Sequence, residues 1–274
     1  MTLTARGLTI IGLVAFLLIV LVPFWWIASM SFKTYEQVQF ATSIYVPRPF
    51  TWENYTVLWT ATRFPLWLRN SVVTAVCVTI VTTIVASLAG YAVARLRFPG
   101  RQAFASLILI LYLVPPALLF IPLYRVLAEL GATNSLMALV LSYPTFTVPF
   151  CTWLLMGFFK AIPRDLEDAA MIDGLSRFGA FVKVVLPISI AGLLTVVIFA
   201  FTLVTQEFVY GVTFITSSQS YTVSVGVPTF LVRGDVYFWG SMMGACLIAS
   251  VPIAIIYNFF VDRFVVGFTV GAVK

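Results

Sequence analysis

The sequence predicts an all-α polytopic membrane protein with six transmembrane helices and both termini on the cytoplasmic side. Three observations carry that expectation. Of the 274 residues, 61% are hydrophobic and only 9% are charged, with a mean hydropathy of +1.05. A water-soluble domain carries roughly 25% charged residues, so this chain lacks the polar surface that water demands. Its 16 basic and 10 acidic side chains all fall outside six apolar windows, at residues 9–30, 71–94, 104–124, 136–159, 184–206 and 241–261. The basic residues are also divided unevenly between alternate connections.

Each window is long enough to cross a hydrocarbon core of about 30 Å at a rise of about 1.5 Å per residue. Lipid offers the backbone no hydrogen-bond partner, so such stretches must be helical. The first window follows Arg6 and exceeds the 7–15-residue apolar region of a signal peptide, roughly the upper limit for such segments; it reads as an uncleaved first span. The second runs up to Arg95. Prolines interrupt the third (Pro115, Pro116, Pro122), the fourth (Pro144, Pro149) and the sixth (Pro252). An interior proline removes a hydrogen bond and kinks the helix. Such kinks serve either packing or a water-filled path lined by broken helices. A seventh charge-free stretch, 208–232, is rich in Thr and Ser with Gln219 among them and holds Gly226 and Pro228, so it reads as a loop or re-entrant segment.

Six spans place Arg6, Arg95, Arg97, Arg101, Lys160, Arg164, Arg177, Lys183, Arg263 and Lys274 on one side. Lys33, Arg48, Arg63, Arg69, Arg125 and Arg233 fall on the other. The richer side is cytoplasmic by the positive-inside rule. Residues 1–274 then form a single transmembrane domain, with extracytoplasmic loops at about 32–70 and 207–240 and a cytoplasmic loop at about 160–183. Topology accounts for the net charge of +6, and nucleic acid is not an expected partner.

The same counts exclude chemistry. With no His there is no His-based triad or His metal site. Cys77, Cys151 and Cys246 sit in apolar surroundings as small hydrophobes. No carboxylate lies mid-span, as a proton relay would need. No G-x-x-x-x-G-K-[ST] loop is present, so no ATP site of that type is expected. The chain is not expected to be an enzyme and is expected to hold no metal and no cofactor.

The 160–183 loop carries the densest charge. Pro163 suits a helix start, and Asp165, Glu167 and Asp168 suit its positive end. Arg164 can pair with Glu167 or Asp168 at helical spacing. Leu166, Ala169, Ala170 and Asp173 fall near one face. Asp173-Gly174 stops the helix, and Ser176 can cap a second one bearing Phe178 and Phe181. The expectation is a short helix, a turn, and a second helix feeding the fifth span.

The pattern Glu167-Asp168-Ala169-Ala170, then Asp173-Gly174, Phe181 and Leu186-Pro187, resembles the EAA loop of ABC importer permeases. Ser31-Phe32-Lys33-Thr34, Asn70-Ser71, Ala89-Gly90-Tyr91-Ala92-Val93-Ala94-Arg95, Ile121-Pro122-Leu123-Tyr124 and the tail from Val265 to Lys274 extend the likeness to the carbohydrate-uptake branch, of the maltose-permease type. Departures are Asp168 for the usual Glu, Leu175 for Ala, Ala191 for a second Pro, and Thr205-Gln206-Glu207-Phe208 for Trp-Asn-Glu-Phe.

The resemblance implies a coupling helix between spans four and five. Glu167, Asp168, Ala169, Ala170, Asp173, Gly174, Phe181 and Pro187 would dock it on an ATPase subunit. It also implies a second permease subunit, two ATP-binding cassette subunits that hold ATP and Mg, and an extracytoplasmic sugar-binding protein. The setting would be the cytoplasmic membrane of a bacterium or archaeon, the action alternating access, the cargo a mono-, di- or oligosaccharide. Sugars are held by aromatic stacking and hydrogen bonds, which makes Tyr112, Tyr143, Gln206, Glu207 and Tyr210 candidates for the substrate path. A permease for glycerol phosphate or a polyol is the alternative, and a secondary transporter a more distant one.

Overall fold

A computed structural model describes residues 3–41, 45–234 and 236–272, and the side chains of those between 9 and 259. Lys274 lies outside the described residues, as do the side chains of Arg6 and Arg263 and those of the tail motif.

The chain opens with α1 (Leu3–Ser31), followed by the short α2 (Tyr35–Gln39) and α3 (Glu53–Thr60). Next come the long α4 (Phe64–Arg95), then α5 (Arg101–Leu113), α6 (Pro116–Glu129), α7 (Leu136–Ser142) and α8 (Pro144–Ala161). The predicted charged loop becomes α9 (Arg164–Ile172) and α10 (Arg177–Ala180), which runs through a π-helical turn at Phe181–Val185 into α11 (Leu186–Ile188). The remainder is α12 (Ile190–Gln206), α13 (Val209–Phe214), α14 (Val223–Leu231), β1 (Val232–Arg233), β2 (Val236–Tyr237) and α15 (Trp239–Ala272).

All six apolar windows become helix, but they do not all become single rods. Thr9–Ser31, Phe64–Arg95, Leu136–Ala161 and Trp239–Phe259 are long and apolar enough to cross a membrane. The other two windows fall on bent pairs: Arg101–Leu113 with Pro116–Glu129 at 100°, and Arg177–Ile188 with Ile190–Gln206 at 79°. The first break follows from sequence. Val114 precedes Pro115 and is extended, at ψ 120°, because a following proline disfavours helical backbone. The second falls at Ser189, past Pro187, where ψ rises to 14°. Stretch 208–232 makes only α13 and α14, consistent with a loop rather than a seventh rod. The strictly all-α expectation needs one correction. β1 and β2 form a two-residue antiparallel hairpin, Val232 opposite Tyr237, turned at Gly234 with φ +58°.

The chain divides into two compact units. One comprises Met1–Leu66 and Gly226–Ile253. There the Asn54 amide donates to the carbonyls of Ser31 and Lys33 at 3.0 and 2.7 Å. Ser241 donates to its Oδ1 at 3.3 Å. Phe32 stacks on Phe50 at 4.5 Å. The Lys33 ammonium lies 5.1 Å from the Trp26 ring centroid, and burial holds its pKa below the ordinary lysine value.

The other unit, Trp67–Val225 with Ala254–Lys274, holds two apolar clusters. One gathers Ala86, Tyr91, Leu155, Phe159, Phe181 and Val196. The other gathers Ala75, Val78, Leu139, Tyr143, Tyr210 and Phe214. Helix α4 contributes to both. Its close approach to α8 depends on Gly90, where an added Cβ would lie 3.3 Å from Met156 N, Thr152 O and Leu155 Cβ. Small residues permit such approaches between membrane helices. Backbone atoms cannot step aside, so Gly90→Val should cost about 1–3 kcal/mol by overpacking. A lowered thermal unfolding midpoint in detergent is the expected result.

Candidate functional site

The local chemistry of residues 160–183 runs largely as the sequence suggests. Pro163 stands at the N-cap of α9 with φ −57° and ψ 136°. Asp173 is the C-cap, and Gly174 takes φ +91°, a left-handed conformation that non-glycine residues adopt at a cost. The Ser176 hydroxyl accepts from the Gly179 N–H at 3.1 Å, capping α10 as expected.

The structure divides the motif residues by where they face. Glu167, Ala170 and Phe181 are buried, whereas Asp168, Ala169, Asp173, Gly174 and Pro187 are exposed. Ala170 therefore leaves the face predicted for it and seats the helix instead. Phe181 anchors the seat, with its ring 4.4 Å from Tyr91 and 6.1 Å from Phe159.

Glu167 has the most consequential position. It pairs with Arg95 at the end of α4, Nε to Oε2 at 3.5 Å, rather than with the predicted Arg164. The Tyr91 hydroxyl donates to its other oxygen. Arg95 also donates to the Ile162 carbonyl at the end of α8. Both ionic side chains are under a tenth exposed, Arg95 and Glu167 each at 6%. Arg101 completes this end of α4, donating to the Val93 carbonyl at 2.7 Å. These guanidinium groups sit where the negative end of a helix dipole favours cations.

Tyr91 and Arg95 were not singled out as site residues from sequence. Their signal was present: an arginine ending a long apolar window, with a tyrosine four residues earlier on the same helical face. What the sequence lacked was the partner, which is 76 residues from Tyr91.

Beside the pair opens a cavity of about 410 Å³ lined by Arg95, Arg97, Arg164 and Arg177 against Glu167 and Asp168. With four cations to two anions it presents a basic recess next to exposed apolar side chains. Ile172 is 86% and Phe178 65% exposed.

The substrate-path candidates separate into two groups. Tyr143, Glu207 and Tyr210 are brought together. Tyr143 and Tyr210 are 1% and 0% exposed, with ring centroids 6.1 Å apart. The Glu207 carboxylate accepts from the Tyr210 and Gly211 N–H groups at 2.8 and 3.2 Å, so it caps α13. The Tyr210 hydroxyl donates to Pro116 O in the first turn of α6 at 2.9 Å. Tyr112 lies apart, exposed and 5.2 Å from Phe150, and Gln206 is exposed. Among the described residues no group of three or more His, Cys, Asp or Glu could hold a metal ion.

Long apolar helices, broken helices and a charged helix seated on one end of a span define a membrane-embedded transport component. The chain belongs to the family described as the binding-protein-dependent transport system inner membrane component, whose model matches residues 83–269. It is 37% identical over 98% of its length to the trehalose/maltose transport system permease protein MalG of Thermococcus litoralis, covering 97% of that protein. It is 36% identical over 93% of its length to the sulfoquinovosyl glycerol transport system permease protein SmoH of Agrobacterium fabrum, covering 89% of it. Its fold resembles a chain from the crystal structure of a bacterial ABC transporter involved in the import of alginate. The TM-score is 0.80 at 18% identity, over 96% of this chain and 98% of that one.

The buried ion pair makes a stability prediction. Removing one partner of such a pair leaves an uncompensated charge and costs about 3–5 kcal/mol. Glu167→Ala should lower the unfolding midpoint sharply in detergent. Replacing both residues by apolar ones, Glu167→Leu with Arg95→Met, should recover most of that loss.

Proposed function

We propose that the chain is one permease subunit of an ATP-driven importer that moves a sugar inward by alternating access. It forms one transmembrane permease domain that spans the membrane six times, both termini inside, in the cytoplasmic membrane of a bacterium or archaeon. A second permease subunit and two ATPase subunits complete the assembly, and ATP and Mg are held by the ATPases. An extracytoplasmic binding protein delivers the sugar. The names of the relatives, a trehalose/maltose system and a sulfoquinovosyl glycerol system, support a sugar or glycoside as cargo.

One observation carries this reading. The outward side of α9 and its turn combines exposed Ile172 and Phe178 with a basic recess. Large apolar side chains left open beside a charged recess are the kind of surface that a protein partner covers. Asp168, Ala169, Asp173 and Gly174 share that exposed side, which is the side an ATPase would grip.

Purification of the tagged chain should bring down an ATP-binding cassette subunit. Hydrolysis by the assembled complex should rise with the binding protein and one member of a panel of maltose, trehalose and glycerol 3-phosphate. A response to glycerol 3-phosphate alone would overturn the sugar reading. Asp173→Arg and Gly174→Asp should abolish uptake while membrane insertion persists. Gly174 has open space around it, so Gly174→Asp acts through its backbone, at about 1–2 kcal/mol for a left-handed non-glycine residue. Wild-type uptake with the ATPases bound would exclude docking at this turn.

A further inference from the structure

Helix α4 is anchored by side chains at both ends. At the Arg95 end it holds α9 through the Glu167 carboxylate, with Tyr91 donating to the same group. At the other end it holds the segment 215–223. Trp67 Nε1 donates to Ser218 O at 2.7 Å. The Asn70 amide donates to Gln219 O and Tyr221 O at 2.8 and 3.0 Å. Ser71 Oγ accepts from Val223 N at 2.8 Å. Asn134 fixes the near side of the same segment, its Oδ1 accepting from Thr216 and Ser217 N–H at 3.0 and 2.7 Å.

Between these ends the helix is continuous. Of the four span-length helices, α4 alone has no proline beyond its first turn among the described residues; α1, α8 and α15 hold Pro23, Pro149 and Pro252. From Trp67 to Arg95 it covers about 42 Å at about 1.5 Å per residue. Kinks at proline absorb displacement by bending, and an unbroken helix has no such joint.

We propose that Arg95 and Tyr91 are positioning residues of transport: they clamp α9 to α4, so that α4 carries the motion of a docked ATPase to segment 215–223. This rests on the proposed function, which supplies the ATPase on the exposed side of α9. The inference adds the route and its two attachment points. Coupling of this kind requires that each end interact differently in the two states. The buried carboxylate makes the near attachment stiff, since the alternative is an unpaired buried charge.

The test uses the assembled transporter in lipid nanodiscs, with Cys77, Cys151 and Cys246 replaced by alanine. A cysteine is introduced by Gln219→Cys, at an exposed side chain whose carbonyl alone takes part in the anchoring. The readout is its labelling rate by a maleimide, with and without ATP plus vanadate. In the otherwise wild-type complex the rate should change by about 5-fold or more, the lower range of coupling between sites. With Glu167→Gln or Asn70→Ala the change should fall below about 2-fold, although ATPase subunits still co-purify. Arg95→Lys, which keeps the charge, should retain more of the response than Arg95→Met. A merely structural role would lower the yield of complex without altering the response of complexes that assemble. Should Glu167→Gln fail to assemble, Asn70→Ala, at the far end of α4 from α9, reads the same link. A wild-type response in Asn70→Ala, or in assembled Glu167→Gln, overturns the inference and leaves the proposed function standing. A wild-type chain that binds no ATPase overturns both.

Discussion

A backbone group inside a bilayer has no water to turn to, and every departure from regular helix must be answered by the protein itself. The bent pairs show how this chain meets that constraint. Where α5 gives way to α6, the buried Tyr210 hydroxyl ties down the first turn of α6 through the Pro116 carbonyl. Where α12 ends, the Glu207 carboxylate takes two N–H groups of α13, and its own carbonyl accepts from Ser224 at 2.7 Å. At the second bend a π-helical turn lets Leu186 N–H reach Phe181 O, just before a proline that can donate nothing. Some of these contacts are made by neighbours a few residues away, whereas Tyr210 reaches Pro116 across 94 residues.

The same constraint governs charge. Glu167 and Arg95 could each be solvated if α9 stood away from the span. They are buried instead, and the desolvation of both is offset only while they remain together with Tyr91 and the Ile162 carbonyl. The pair is therefore better understood as a registration device than as a source of stability: it permits one placement of α9 on α4 and penalises the others. Ala170 and Phe181 fill the space around it with apolar contact. Within the exposed half, Asp168 and Ala169 take no part in that seat, while Asp173 and Gly174 end the helix.

Much of the architecture could be read from residue order, because charge exclusion and hydropathy act locally. The windows, the helix–turn–helix at 160–183, the stop at Gly174 and the cap at Ser176 all rest on neighbours within a few positions. Val114 before Pro115 signalled a break, although not its 100° angle. The pairing of Glu167 could not be read in the same way. Arg164 lay at helical spacing and Arg95 did not, and tertiary proximity decided between them. Glu207 shows a related difficulty. A carboxylate near a span end suits a substrate path, yet its spacing to Tyr210 and Gly211 is also that of a helix cap, and that is how its oxygens are used here. Tyr143 and Tyr210 read as stacking rings and lie wholly buried against one another.

Helix α1 meets the bilayer on different terms. None of its most apolar window is buried within the chain, and that window has a mean hydropathy of 2.7. An apolar helix satisfies nearly all of its own backbone and is stable in lipid with few neighbours. Helix α1 precedes the other spans in the chain and so is synthesised before them. It can therefore wait in the membrane as an anchor while they are made. The bond from Ser224 to the Glu207 carbonyl at the end of α12 can form only after 207–224 has been made. The direction of synthesis runs from a span whose apolar window leans on little of the chain toward segments that depend on much of it.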